Sequence, residues 1–436
     1  YRPSTRAEYN TVASWVQNMN KDVHSLAVEP GFADPEGLDF HLKTQYPNGR
    51  YVPAEGTLAT NDAVSSLLLD AADPEAAYNA EQSPSGLRRN IGLYGNTRQA
   101  SKTSNTNGWI TVVSHRDGGS VVGTTTLYWL QGGTARGQSV KIEYSWNNGQ
   151  DWALIADNLY GTNQFVWDST AFNSSPAGRI RVSSEIDTGI NGTNIDFIAV
   201  RNSNLVFFVN DKWGPEDMYC TAAGSSTNLG ITGAAPQDSL QNIIDLYDLE
   251  PGDTIYVDTG KYTKDSAITF ERFDAGSAAS PIRIRGSTDA ARSVVQANIT
   301  LNQCPGFSFE NIHVEAGGGY GLRIRESDYC TFVDSSCASN SYGISLESNS
   351  RYFTMQRSIL RQNSSGGLNL NASGGSAVIS NNLFYMNGAY GIYPRSSGVI
   401  QNNIFVVPSG NHWAYSGDSV ASLSIDYNMY RFAGAT

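Results

Sequence analysis

The 436-residue sequence predicts an all-β chain built in two styles, a coiled stack of parallel strands over 211–436 and a separate two-sheet sandwich over 103–210. Three observations point there. The dipeptides Tyr320-Gly321, Tyr342-Gly343, Gly366-Gly367 and Tyr390-Gly391 place their glycines 22, 24 and 24 residues apart, and each opens a stretch of period-two alternation. Residues Gly108 to Asn210 break instead into short alternating strands parted by hairpin turns such as Asn147-Asn148-Gly149 and Asn191-Gly192. The composition favours short strands and tight turns, with 43 Gly and 23 Tyr against only 16 % charged residues.

A chain of this length needs two or more packed units. Asp and Glu number 41 against 29 Lys and Arg, and a net charge of −12 argues against nucleic acid as a partner. No run approaches the roughly 18–20 apolar residues that cross a membrane. The start at Tyr1 lacks the basic-then-apolar pattern of a signal peptide, so the sequence reads as an excerpt or a mature product. Cys220, Cys304, Cys330 and Cys337 form no CxxC pair, which makes a zinc site unexpected.

Aligning the repeats puts Leu322, Ile344, Leu368 and Ile392 in one inward file and Ile324, Leu346, Leu370 and Pro394 in a second. A polar file follows each strand: Asn311, Ser336, Ser358, Asn382, Asn403 and Asn428. A coil of about 22–25 residues cannot bury its apolar side alone, but stacked coils share one core. Asn tolerates left-handed corners, and its amide can bond the same residue one coil away. Upstream, Leu240, Ile243, Ile244 and Tyr247 recur at helical spacing behind an N-cap at Asp238 or Ser239, and Thr254-Ile255-Tyr256-Val257 alternates as a strand. The whole resembles the right-handed parallel β-helix of the pectate-lyase-like superfamily, which implies a helix covering the first coil and about eight coils beyond residue 255.

The segment Tyr144-Ser145-Trp146-Asn147-Asn148-Gly149-Gln150-Asp151-Trp152 resembles a pattern of bacterial extracellular spacer modules, and implies an immunoglobulin- or fibronectin-like β-sandwich. Trp129, Trp152 and Trp167 read as core anchors rather than sugar-stacking residues. In the first 102 residues, Asp39-Phe40-His41-Leu42, Leu69-Asp70-Ala71-Ala72-Asp73-Pro74 and Asn90-Ile91-Gly92-Leu93-Tyr94-Gly95 resemble the ends of β-helix modules, which normally follow a coil like Asp426-Tyr427-Asn428-Met429-Tyr430. Writing Thr436 before Tyr1 restores an unbroken module. The expectation is a β-helix split across the chain ends, with 1–102 completing a preceding or neighbouring copy and 211–436 holding the cap and main coils. Val12, Trp15, Val16 and Met19, at helical spacing, would pack over the open end of another copy.

The family includes polysaccharide lyases, hydrolases and epimerases, which implies paired carboxylates on an outward column of any active member. The outward columns are Arg323, Ser345, Asn369, Tyr393 and Arg325, Glu347, Asn371, Arg395. Neither pairs carboxylates. Arg325, Glu347 and Arg395 form the candidate carbohydrate-facing column, with a solvated charge ladder as the plainer reading. No catalytic residue, cofactor or metal set is assigned. Asp34, Asp39, Asp70 and Asp73 could hold Ca²⁺ but read more simply as turn residues. No histidine sits in a nucleophile motif. Asn-x-Ser/Thr sequons occur at Asn173, Asn191, Asn298, Asn363 and Asn371. Cys304 and Cys330 precede Asn311 and Ser336 by seven and six positions, which predicts a disulfide between adjacent coils, with Cys337 a buried thiol.

The leading functional expectation is a structural repeat unit of an extracellular filament or giant cell-surface protein, assembling head to tail with copies of itself. The alternatives are a carbohydrate-binding adhesin and a polysaccharide-active enzyme.

Overall fold

The computed structural model describes residues 11–19, 21–60, 62–103, 108–316, 318–371, 375–410, 412–416 and 423–433. It divides into two compact units, Tyr1–Ser203 and Asn204–Thr436.

The second unit is a right-handed parallel β-solenoid with three faces. Among the described residues the first face stacks nine strands, from Val206–Val209 to Leu423–Asp426. The second stacks eight, from Gly260–Tyr262 to Met429–Phe432, and the third seven, from Ala267–Phe270 to Trp413–Tyr415. Val206–Val209 pairs in parallel with Thr254–Val257, so the solenoid takes in a strand that the sequence assigned to the sandwich, and the boundary falls at Ser203/Asn204 rather than at 210/211. The alternation of Val-Phe-Phe-Val suits either setting; pairing decides it.

On the third face the register aligns Leu322, Ile344, Leu368 and Ile392 coil by coil, and Ile324, Leu346, Leu370 and Pro394 beside them. All eight are buried. A fully buried Leu or Ile contributes about 1.5–3 kcal/mol, and one coil supplies only two per strand, so stability accrues through stacking. The second face has its own inward file, in which Phe384 and Phe405 stack at 4.6 Å and Phe405 and Tyr430 at 5.4 Å.

The polar ladder exists, shifted by one residue in its first members. The Oγ of Ser335, not Ser336, accepts from the Ile312 amide at 3.0 Å; Ser358 then serves Ser335, Asn382 serves Ser358, Asn403 serves Asn382 and Asn428 serves Asn403. The ladder residues are not the left-handed ones. That conformation falls to the residue before each: Asp334, Arg357, Asn381, Asn402 and Tyr427, with φ of 49–62°. The turn is made one position early, which frees the ladder side chain to point inward. A second ladder at the next corner runs through Asn340, Asn363 and Asn387, where Asn340 N–H donates to Asn363 Oδ1 (3.1 Å) and Asn363 N–H to Asn387 Oδ1 (3.2 Å). Asn363 is fully buried there, so its sequon is not a glycosylation site.

At the near end the helix Leu240–Leu246 is capped by Ser239, whose Oγ accepts from Asn242 N–H at 3.1 Å. Gln241 on that helix accepts from the Thr269 amide at 2.9 Å, and so satisfies the bare edge of Ala267–Phe270, the first strand of the third face.

The predicted Cys304–Cys330 disulfide is absent, and all four cysteines are buried thiols. The register aligns Ser308 with Thr331, which places Cys304 opposite Ser327 and three residues away from Cys330. Cys304 N–H donates to Ser327 Oγ at 3.0 Å, and burial pushes the Cys330 thiol up to about 12. Counting from the ladder failed because Asn311 aligns with Asp334 rather than with Ser336.

In the first unit, a sheet of Gln164–Asp168, Thr124–Gly132 and Trp109–Val112 faces a larger one built on Ser175–Ser184 and Val140–Ser145. Both contribute to one core that includes Trp129, Trp167, Tyr144 and Ile180. Trp129 and Trp167 are buried anchors, while Trp152 lies half-buried with the Arg181 guanidinium 4.0 Å from its ring. The described residues of 11–103, in the segment expected to complete another copy's solenoid, fall in one compact unit with this sandwich. They form a helix, Val12–Met19, and two hairpins, Phe32–Asp34 with Asp39–Leu42 and Arg50–Val52 with Thr57–Thr60. Asp117 accepts from the Val12 amide at 2.6 Å, and Ala71 packs on Val113 and Leu130. No helix of the described residues is long and apolar enough to cross a membrane.

Candidate functional site

The outward side of the third face carries the predicted column. Arg325 pairs with Glu347 and Glu347 with Asn371, and Arg395 follows Pro394 to reach Asn371, with Nη1 donating to its Oδ1 at 3.3 Å. The three candidate residues therefore share a column, but Glu347 and Arg395 stand two coils apart, about 10 Å at about 4.8 Å per coil.

Glu347 is committed within its surroundings. Arg323 grips its carboxylate through Nε (3.1 Å) and Nη2 (2.8 Å), Arg325 lies at 3.9 Å, and Ser345 Oγ donates at 3.2 Å. The carboxylate in turn raises the Arg323 guanidinium above its ordinary value. The same device recurs on the first face, where Arg283 and Arg285 meet Glu310 at 3.8 and 2.7 Å and Ser308 donates to it at 3.1 Å. An Arg-x-Arg strand facing a Ser-x-Glu strand on two different faces is a structural ladder.

Beside that column runs an aromatic one. Tyr320 and Tyr342 stack at 5.3 Å, and Arg323 lies 4.9 Å over the Tyr320 ring. At the next coil the column reads Gly366, and the ring of Tyr390 fills that space: a Cβ on Gly366 would lie 2.3 Å from it. Tyr393 meets Tyr390 at 5.4 Å and carries Arg395 at 5.0 Å, and Trp413, 60 % exposed, follows Tyr390 in register. Burial, then the neighbouring Tyr342, Tyr393 and Tyr320, push the Tyr390 hydroxyl up. Asn369 donates to Ser345 Oγ at 3.3 Å, while its buried Oδ1 has no partner. These tyrosines served in the sequence only as register marks, so the column they build went unread.

The other candidates disperse. Asp34 accepts from Gly37 N–H, Asp39 from His41, Asp73 from Glu75 N–H, and Asp70 from the Thr103 hydroxyl. These are four separate local roles, and among the described residues no group of three or more His, Cys, Asp or Glu is placed to hold a metal. One histidine contact was invisible in sequence: His313 Nδ1 lies 2.8 Å from Ser336 Oγ, 23 residues and one coil away. Burial and the guanidiniums of Arg292 and Arg361 depress that imidazole to about 4. Among the described residues no carboxylate bonds this imidazole, whereas an activated Ser–His pair carries one as its third member.

Residues 294–429 match the sequence family described as "Right handed beta helix region". Among solved structures the chain is similar to a GH136 lacto-N-biosidase from Eubacterium ramulus, at 10 % identity and a TM-score of 0.23 over 52 % of this chain and 68 % of that one. It is also similar to the pectate lyase Pel3 from Pectobacterium carotovorum, at 11 % identity and a TM-score of 0.15 over 76 % of this chain and 92 % of that one. Likeness at that level says nothing of activity. No curated protein matches the chain.

Proposed function

We propose that the chain is an extracellular structural module that joins others end to end in a filament or long surface protein. The observation that supports this reading is the exposure of the last solenoid coil among the described residues. Leu423–Asp426 and Met429–Phe432 are the last strands of their sheets among the described residues, and each pairs on one side only. Met429, Tyr430 and Phe432 are 50, 42 and 50 % exposed. Tyr430 continues the inward file of Phe384 and Phe405, so a core position stands half bare. Such an edge is a template for another layer, and solenoids normally cover it. Chain continuing the array would do so, as would a second copy. The likeness of 1–102 to module ends makes that segment the best source; Tyr1 and Thr436, whose juxtaposition the sequence suggests, lie outside the described residues.

Light scattering across a concentration series tests the reading. The particle mass of the 436-residue chain should rise with concentration. Met429→Lys with Phe432→Lys, both at exposed positions, should hold it at one chain without lowering the melting temperature. A single-chain mass for the parent protein throughout would reject self-association.

The aromatic column favours a second reading, polysaccharide binding along the third face. Trp413→Ala and Tyr342→Ala should each weaken retention on a polysaccharide affinity gel about three- to tenfold, the loss of one ring contact of about 0.5–1.5 kcal/mol. Retention unchanged by both would dismiss it.

A further inference from the structure

The outward side of the solenoid's second face changes character from coil to coil. One outward column passes in register from Lys261, Val294, His313 and Ser336 to Ile359, Leu383, Ile404 and Met429. The other outward column sets Tyr385 and Val406 beside Leu383 and Ile404. Ile404, Met429 and Tyr385 are 42, 50 and 41 % exposed, and Ile359, Leu383 and Val406 are half-buried. Over the same coils an outward column of the first face reads Gln356, Ser380, Gln401 and Asp426. The second face therefore carries a contiguous apolar stripe where its neighbour is polar. Single exposed apolar residues are ordinary, but a contiguous stripe marks a contact surface.

The stripe runs onto the last coil among the described residues, because Met429 belongs to both. A layer stacked on that coil and a segment lying along the stripe would meet at this residue, so one occupant can supply both. Area favours a joint contact. The strands Leu423–Asp426 and Met429–Phe432, at about 3.3 Å per residue, bound a surface on the order of 200 Å², against about 800 Å² per partner in a stable interface. A stripe of four coils, at about 4.8 Å each and one short strand wide, about doubles that contact.

The chain itself carries apolar side chains to match. In the first unit Leu38, Leu87 and Leu93 are 75, 50 and 73 % exposed. Leu38 and Leu87 also hold left-handed backbone at φ 62°, which a bulky residue adopts only at a cost. Surplus apolar side chains on one unit and an uncovered stripe on the other make a heterologous contact between copies.

We propose that the stripe of Ile359, Leu383, Ile404 and Met429 is a docking surface for the 1–102 segment of a second copy, which covers the last described coil and continues along the second face. This rests on the end-to-end reading and gives that contact a second surface.

Light scattering and hydroxyl-radical footprinting of the full chain, over one concentration series, test it. As the mass rises, labelling of Leu383, Tyr385 and Ile404 should fall at least about twofold, and labelling of Leu38, Leu87 and Leu93 should fall with it. The double variant Leu383→Thr with Ile404→Thr, which keeps β-branched residues on the strands, should associate about tenfold more weakly and melt at the parental temperature. The parent footprint decides the question should that variant fail to fold. A rising mass with Met429 and Phe432 protected but Leu383 and Tyr385 still fully labelled would overturn the stripe contact and leave end-to-end joining intact. Stripe protection without protection of the three leucines would overturn the assigned occupant. A single-chain mass throughout would overturn this proposal together with self-association.

Discussion

Replacing Asn363 by alanine is expected to destabilise the solenoid by about 3–5 kcal/mol, from the burial cost of the groups it would orphan. The side chain is fully buried and sits in the middle of three coils. Its Oδ1 accepts from the Asn340 amide and from Asn340 Nδ2, both at 3.1 Å, while its Nδ2 donates to the Cys337 carbonyl at 3.1 Å and to Asn387 Oδ1 at 2.9 Å. Alanine leaves a backbone N–H, a carbonyl and two amide groups short of partners where water does not reach. Each such group costs about 1–3 kcal/mol, and the contributions do not fully add because the neighbours relax. Ser364→Ala, at the adjacent exposed position, takes no side-chain bond from the ladder and should change stability by no more than about 0.5 kcal/mol. Denaturant unfolding of the pair separates the two effects. A loss below about 1 kcal/mol in Asn363→Ala would mean that the ladder's bonds are replaceable.

What the sequence made legible is what period two and a coil length of 22–24 residues can specify. Leu322, Ile344, Leu368 and Ile392 could be aligned because a glycine marks each strand's start and apolar residues alternate after it. The polar ladder was misplaced by one because Asn311 and Asp334, both left-handed, are followed by residues of different kinds, Ile312 and Ser335. A rule that made the ladder residue and the corner residue the same one could not see this. The same slip produced the unformed disulfide. The second ladder was within reach, since Asn340, Asn363 and Asn387 lie 23 and 24 residues apart and each stands just ahead of a repeat dipeptide.

At the candidate site, the sequence aligns the column of Arg325, Glu347 and Arg395 and offers a charge ladder as its plainer reading, but it does not show the partner that holds Glu347. Glu347 is neutralised mainly by Arg323, which belongs to the adjacent column, and that contact depends on side-chain direction rather than on register. The Tyr390 ring over Gly366 is a diagonal contact of the same kind. In the first unit, Asp70 meets the Thr103 hydroxyl 33 positions away through loops, where no periodicity reports on neighbours.

Raising the pH from about 4 to about 7 should weaken the first unit, and Asp70→Asn should abolish most of that weakening. Asp70 is 3 % exposed, its Oδ2 accepts from the Thr103 hydroxyl at 2.6 Å, and its Oδ1 has no partner. Burial first, with the charge of Glu81 adding to it, raises this carboxyl to about 7 against the opposing pull of Thr103 and Arg88. The unfolded chain returns it to the ordinary value of 3.8. Between those two values the folded state holds a proton that the unfolded state has released, so stability falls as pH climbs from about 4 to about 7 and levels off above. Three pH units at about 1.4 kcal/mol each set an upper scale of about 4 kcal/mol. Asparagine suits the position, because Asp70 has a φ of 53° and Asn tolerates that left-handed backbone as readily as Asp. The variant's amide keeps an oxygen for Thr103 and carries no charge to desolvate. Measured against the parent, the stability of Asp70→Asn should therefore improve by about 2–4 kcal/mol between pH 4.5 and pH 8.5, a difference that cancels every other titrating group shared by the two chains. Parallel stability curves for parent and variant across that range would show that Asp70 is ionised in the fold at all these pH values, stabilised by Arg88 more strongly than burial opposes it.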